Sequence, residues 1–127
     1  MDLLDRVMDY LEANVSLNAP IVPGLLGEGS SIAIRLTPGS INTRFITGFN
    51  ADVGFQILVQ DKDHLKCVKV TEDIFRALDG LSRKDLVSQD DSFKLVHLTC
   101  STLPNFVEKT NQGLYIYTAI FNAEIEY

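Results

Sequence analysis

Residues 114–127, LYIYTAIFNAEIEY, form the densest run of β-branched and aromatic side chains in the sequence. Such residues fit the pleated, half-buried surface of a sheet, so the stretch predicts a long strand. Alternation puts Tyr115, Tyr117, Phe121, Ile125 and Tyr127 on one face and Leu114, Ile116 and Ile120 on the other. Upstream, PNFVEKTNQG at 104–113 reads as a turn region. Before it, Phe93 to Leu103 reads as a strand that Pro104 closes. There Val96 and Leu98 oppose Phe93 and Leu95, and His97 faces the side of Leu95 and Thr99.

The first half of the chain supplies the remaining elements. Leu3, Leu4, Val7, Leu11 and Val15 recur at three- and four-residue spacing and predict a helix over 2–15, with Asp2, Asp5, Asp9 and Glu12 on its other side. Residues 18–30, NAPIVPGLLGEGS, contain two prolines and three glycines and read as a connector. Ile32, Ile34 and Leu36 alternate as a strand, and Thr37-Pro38-Gly39-Ser40 reads as the turn that ends it. Residues 38–50 form a long connection or the tip of an extended hairpin. In residues 51–60, Val53, Phe55, Ile57 and Val59 share one face of a strand. Asp61 reads as the N-cap of a helix reaching about Asp79. Leu65, Val68, Phe75 and Leu78 mark its buried stripe, flanked by Cys67, Val70 and Ile74, and Gly80 stops it. Residues 81–92 are polar.

The order is helix, strand, strand, helix, strand, strand. It implies an α+β fold: a mainly antiparallel sheet with two helices packed on one face, in a single domain over 1–127. The last two strands carry large apolar side chains on both faces, and two helices cover only one. The uncovered face asks either for identical copies or for a roof made by a segment such as 18–30.

Composition narrows the function. The chain is 46% hydrophobic and 22% charged, which is ordinary for a globular protein. No apolar run approaches the roughly 20 residues of a membrane helix. MDLLDRVMDYLEANV is acidic and periodic, unlike a signal peptide, so synthesis and folding in a cytoplasm are expected. Cys67 and Cys100 then read as free thiols. Eleven bases against seventeen acids give a net charge of −6, which argues against gripping DNA and is compatible with letting it slide past.

Candidate chemistry is thin. His64 sits in a charged run at a helix start and reads as solvated. His97 reads as a hydrogen-bonded sheet residue. GLLGEG at 24–29 lacks the Gly-Lys-Ser/Thr and the strand-to-helix setting of a phosphate cradle. Asp61/Asp63 and Asp90/Asp91 read as caps or solvated turns. Histidine pairs at metal-ligand spacing, HExxH and GxSxG are absent from the sequence. The reading is of a non-enzyme without cofactor or metal.

Three segments carry a resemblance: MDLLDRVMDYLEAN at the start, FNADVGFQILVQDKDH at 49–64, and TLPNFVEKTNQGLYIYTAIFNAEIEY at the end, with its Tyr115-Ile116-Tyr117-Thr118 run. Together with the element order they resemble the tail-terminator and head–tail joining proteins of long-tailed phages, and more narrowly the phage minor capsid proteins of Gram-positive hosts. The resemblance implies a structural virion protein, a subunit of a ring, commonly a hexamer. The ring would cap the tail tube, dock the head connector and let DNA pass without specific binding. Arg44, Phe45 and Phe49 are the first candidate contacts. Phe106, in the 104–113 turn region, is the second, with Tyr115 and Tyr117. Terminator and adjacent joining protein stay undivided at this point. Two other readings stay open: an adaptor or inhibitor lending its sheet edge to a host protein, and a small hydrolase or transferase using His97 or Cys100.

Overall fold

The computed structural model describes residues 2–44 and 49–126, with backbone alone at 39–44 and 49. Its elements are α1 (Leu3–Asn14), β1 (Ile21–Pro23), β2 (Ser31–Arg44), β3 (Phe49–Asp61), α2 (His64–Leu78), β4 (Lys94–Lys109) and β5 (Tyr115–Glu126). Among the described residues the strands form one sheet in the order β1-β2-β3-β5-β4. β1 runs parallel to β2, and every other pairing is antiparallel. The α+β fold with both helices on one face is as the sequence implied, with one strand added.

Phe55 and Phe121 stack at 5.4 Å in the middle of the sheet. Leu3, Val7 and Leu11 of α1 and Cys67, Val70, Ile74 and Leu78 of α2 close the core over the same face. The buried stripe of α2 differs from the expected one: Leu65 is 79% exposed, and Cys67, Val70, Thr71, Ile74 and Leu78 point inward. Thr71 is the polar member of this stripe. Thr71 is buried because its Oγ1 donates to the Cys67 carbonyl at 2.7 Å, which satisfies the hydroxyl within the helix.

Four expectations about boundaries are corrected. The 18–30 connector contains β1, which pairs Ile21–Pro23 with Ile32–Ile34. Three residues are too short for a visible alternation. The helix cap is Asp63, which accepts from the Lys66 amide, and Asp61 is the last residue of β3. The Thr37–Ser40 turn signal does not end β2. It is a register shift inside a longer hairpin, whose last described pair is Arg44 with Phe49. Likewise Pro104 does not end β4, which continues to Lys109 and makes the expected 104–113 turn region mostly strand. β4 is the edge of the sheet, and the ladder slips between Thr102 and Asn105, so a residue without N–H costs no hydrogen bond there.

Irregularities also reassign faces. A shift between Leu95 and His97 lets Leu95 and Leu98 both reach the core, although strict alternation sets them apart. Gly54 lies opposite the shifted stretch of β2, where a Cβ would overlap Thr37 Oγ1.

The uncovered face is less apolar than the strand pattern suggested. Among the described residues Ala33, Leu58 and Ile116 form the buried cluster there, and Leu26 of the connector packs on it. Gln56, Gln60, Thr118 and Asn122 occupy neighbouring sites. They are satisfied locally: Gln56 donates to Thr118 Oγ1, which donates to the Ile57 carbonyl. The second greasy face is therefore overturned, and the connector provides the roof in part.

The connector is held by a polar knot. The Asp61 carboxylate accepts from Asn18 Nδ2, Ser30 Oγ and the Asp63 amide, all at 2.8–2.9 Å. Gln60 Nε2 donates to the carbonyls of Gly27 and Gly29. Burial pushes the Asp61 carboxyl up, and the Asp63, Asn18 and Ser30 hydrogen bonds outweigh it, leaving it below the usual carboxylate range. A carboxylate with a lowered folded-state pKa stabilises the fold above its unfolded value, near pH 4, and loses that contribution as pH falls through the folded value.

Two outcomes are expected. Asp61→Asn lowers stability at pH 7 by about 1–3 kcal/mol in urea melts and flattens the loss of stability as the pH falls below about 4; an unchanged acid profile contradicts this role. Gly54→Ala destabilises by about 1–3 kcal/mol, and a Thr37→Ala background removes most of that cost.

Candidate assembly surfaces

The start of α2 and the hairpin of β4 and β5 meet at one end of the sheet. Asp61 pairs with Tyr115, and Asp63 caps α2, so His64 is delivered over the first residues of β5. Its ring stacks on Tyr115 at 4.5 Å and 9°, and its Nε2 lies 2.7 Å from the Tyr117 hydroxyl. Phe106 pairs with Tyr117 across the ladder, with rings edge to face at 5.6 Å. Lys109 Nζ lies 5.2 Å from the centre of the Tyr115 ring.

Three sequence candidates, Phe106, Tyr115 and Tyr117, are therefore brought together. His64 and Lys109 complete the cluster and were missed. Seeing Lys109 requires the β4–β5 register, which the reading of Pro104 as a strand end conceals, and seeing His64 requires the β3–β5 register and the cap of α2. Phe106 remains 52% exposed. Such a platform of aromatic faces with one cation can receive apolar or aromatic side chains of a partner.

Two other candidates, Arg44 and Phe49, belong to the opposite end. Arg44 and Phe49 close the described β2–β3 ladder and are described by backbone alone, and Phe45 lies outside the described residues. Tyr127 lies outside them as well.

His97 Nδ1 lies 3.2 Å from Glu124 Oε2 on an exposed ladder pair, as a sheet histidine would. Burial, aided by the Asp79 charge, pushes the Cys100 thiol up. Burial pushes the Cys67 thiol up to about 11, and its Sγ donates to the Val59 carbonyl. Raised values work against the thiolate that a nucleophile needs. Among the described residues no three His, Cys, Asp or Glu side chains are grouped to hold a metal, and no helix is long and apolar enough to cross a membrane.

Comparison with known proteins gives two findings. The sequence model of the family described as "Bacteriophage tail terminator protein" matches residues 2–127. Among solved structures, a chain from the "Virion of native gene transfer agent (GTA) particle" superposes with a TM-score of 0.68 at 22% identity, covering 98% of this chain and 95% of that one. At that identity the likeness is one of fold. No curated protein sequence matches.

Phe106 and Tyr117 should couple. A double-mutant cycle with Phe106→Ala and Tyr117→Ala is expected to give about 0.5–1 kcal/mol of interaction energy in denaturant melts. Strict additivity would mean that the edge-to-face pair contributes nothing.

Proposed function

We propose that this chain, which belongs to the bacteriophage tail terminator family, acts as one subunit of a closed ring at the head-proximal end of the tail tube. Membership of that family makes it a structural protein of the phage virion. The ring is six-fold, as in the joining proteins the sequence resembles. It caps the tube and docks the head connector, so its partners are its own copies, the tail tube protein and the connector proteins. Residues 1–127 act as one domain, made in the bacterial host's cytoplasm and incorporated into the particle.

The observation that carries the ring is apolar surface left uncovered by the described residues. Leu25, Leu36, Leu65, Val87 and Leu103 are all more than half exposed. Each gains about 1.5–3 kcal/mol on full burial, a large share of the roughly 5–15 kcal/mol that stabilises a domain. Identical copies arranged with closed symmetry are the usual way to cover such surface.

The two ends of the sheet supply the axial contacts. Arg44, Phe45 and Phe49 of the β2–β3 hairpin serve one neighbour, tube or connector. Phe106, Tyr115 and Tyr117 serve the other. With 17 acids against 11 bases, the chain lacks the excess of cations that grips phosphates, which suits an opening through which DNA passes without specific binding.

Electron microscopy of particles lacking the chain tests the reading. Overlong tails, or tails without heads, are the expected outcome. Tails of normal length joined to filled heads would sink it.

A further inference from the structure

The two lateral edges of the sheet are each half covered. On one side, β1 pairs with β2 only at Ile32–Ile34, and the Gly24 amide adds a bond to the Ile34 carbonyl. From Arg35 onward the outer edge of β2 has no backbone partner among the described residues. On the other side, residues 79–87 cover the first half of β4: Gly80 donates to the Leu98 carbonyl, the Leu98 amide donates to Leu81, and Val87 bridges Lys94. From Ser101 to Lys109 the outer edge of β4 is bare among the described residues.

Each bare stretch contains a proline, Pro38 in one and Pro104 in the other, which blunts it for backbone pairing. Side chains are thus the available contacts. Leu36 stands 56% exposed in a groove between α1 and the β1–β2 edge, with Leu4, Met8 and Pro23. Leu103 stands 65% exposed beside Phe75 of α2 at the β4 edge. The rims differ in charge: Asp5 on the α1 groove and, next to Glu72, Arg76 on the α2 side. Neither Asp5 nor Arg76 makes an ion pair among the described residues.

The register fixes where these edges lie relative to each other. Leu36 is level with Phe55, Phe121 and Cys100 across the sheet. Leu103 follows Thr102, which is level with Ile120. The two exposed leucines therefore stand within about two residues of the same height, on opposite sides of the molecule. A head-to-tail contact between them repeats with little displacement along the strands. Contacts with such a displacement climb into a filament, and contacts without it can close into a ring.

We infer that neighbouring copies in the ring meet through unlike edges: Leu103, backed by Arg76, enters the groove beside Leu36 and Asp5 of the next copy. The occupant of that groove is thus a second copy of this chain. The inference rests on the ring reading and adds the surfaces to it.

Cysteine cross-linking in assembled tails tests it, in a Cys100→Ser background with Cys67 buried. Both target positions are exposed, so the substitutions leave the core intact. With a short bis-maleimide, Leu36→Cys/Leu103→Cys is expected to give a ladder of covalent oligomers, and each single variant is expected to stay monomeric. A double variant that stays monomeric in tails whose ring is visible by microscopy would overturn the edge assignment and leave the ring standing. Covalent dimers from Leu103→Cys alone would overturn it too, because like edges would then meet. Tails with one copy at the end and no ring would overturn both readings.

Discussion

The ladder between β3 and β5 is the part of the sheet from which everything else is measured. It runs from Asn50 opposite Glu126 to Asp61 opposite Tyr115 without a register shift. Phe55 and Phe121 stack at its middle, both fully buried. A slip of one residue would put the two rings on opposite faces and part Ile57 and Val59 from Ile125. The helices could not then close a core over them. The register is thus pinned by burial, and the outer ladders can afford irregularities that the central one cannot.

Those irregularities lie in the β2–β3 and β4–β5 pairings, and three of them have a consequence for the fold. The shift after Leu95 adds a core residue to β4. The slip around Pro104 lets β4 continue as an edge strand and carry Phe106 to Tyr117. The shift after Thr37 is accommodated by the missing side chain at Gly54 and allows β2 to continue to Arg44. Bulges of this kind increase twist and re-aim side chains, and they are common at sheet edges. Both ends of the sheet, where the proposed axial contacts lie, owe their reach to strands that continue through such shifts.

One end is also chemically organised. Asp61 closes β3, ties down the connector through Asn18 and Ser30, and precedes the cap of α2. The same short stretch delivers His64 onto Tyr115 and Tyr117. A buried carboxylate is tolerable when its lone pairs are filled, and three donors fill them here. Connector, helix start and aromatic cluster are therefore tied to one another through residues 61–64.

The sequence by itself determined the elements whose residues repeat with a clear period. Leu3, Val7 and Leu11 define α1, alternation over 51–60 and 115–126 defines β3 and β5, and the absence of site motifs and of a basic surplus is plain from the residues. Its resemblance to tail-terminator proteins agrees with the family match. Tertiary structure decided the rest, because those features depend on partners distant in the chain. β1 exists because β2 lies beside it, Pro104 is harmless because β4 is an edge, and Thr71 is buried because a carbonyl one turn earlier accepts its proton. Phe106 meets Tyr117 only once a bulged register is fixed, and a periodic reading contains no bulges.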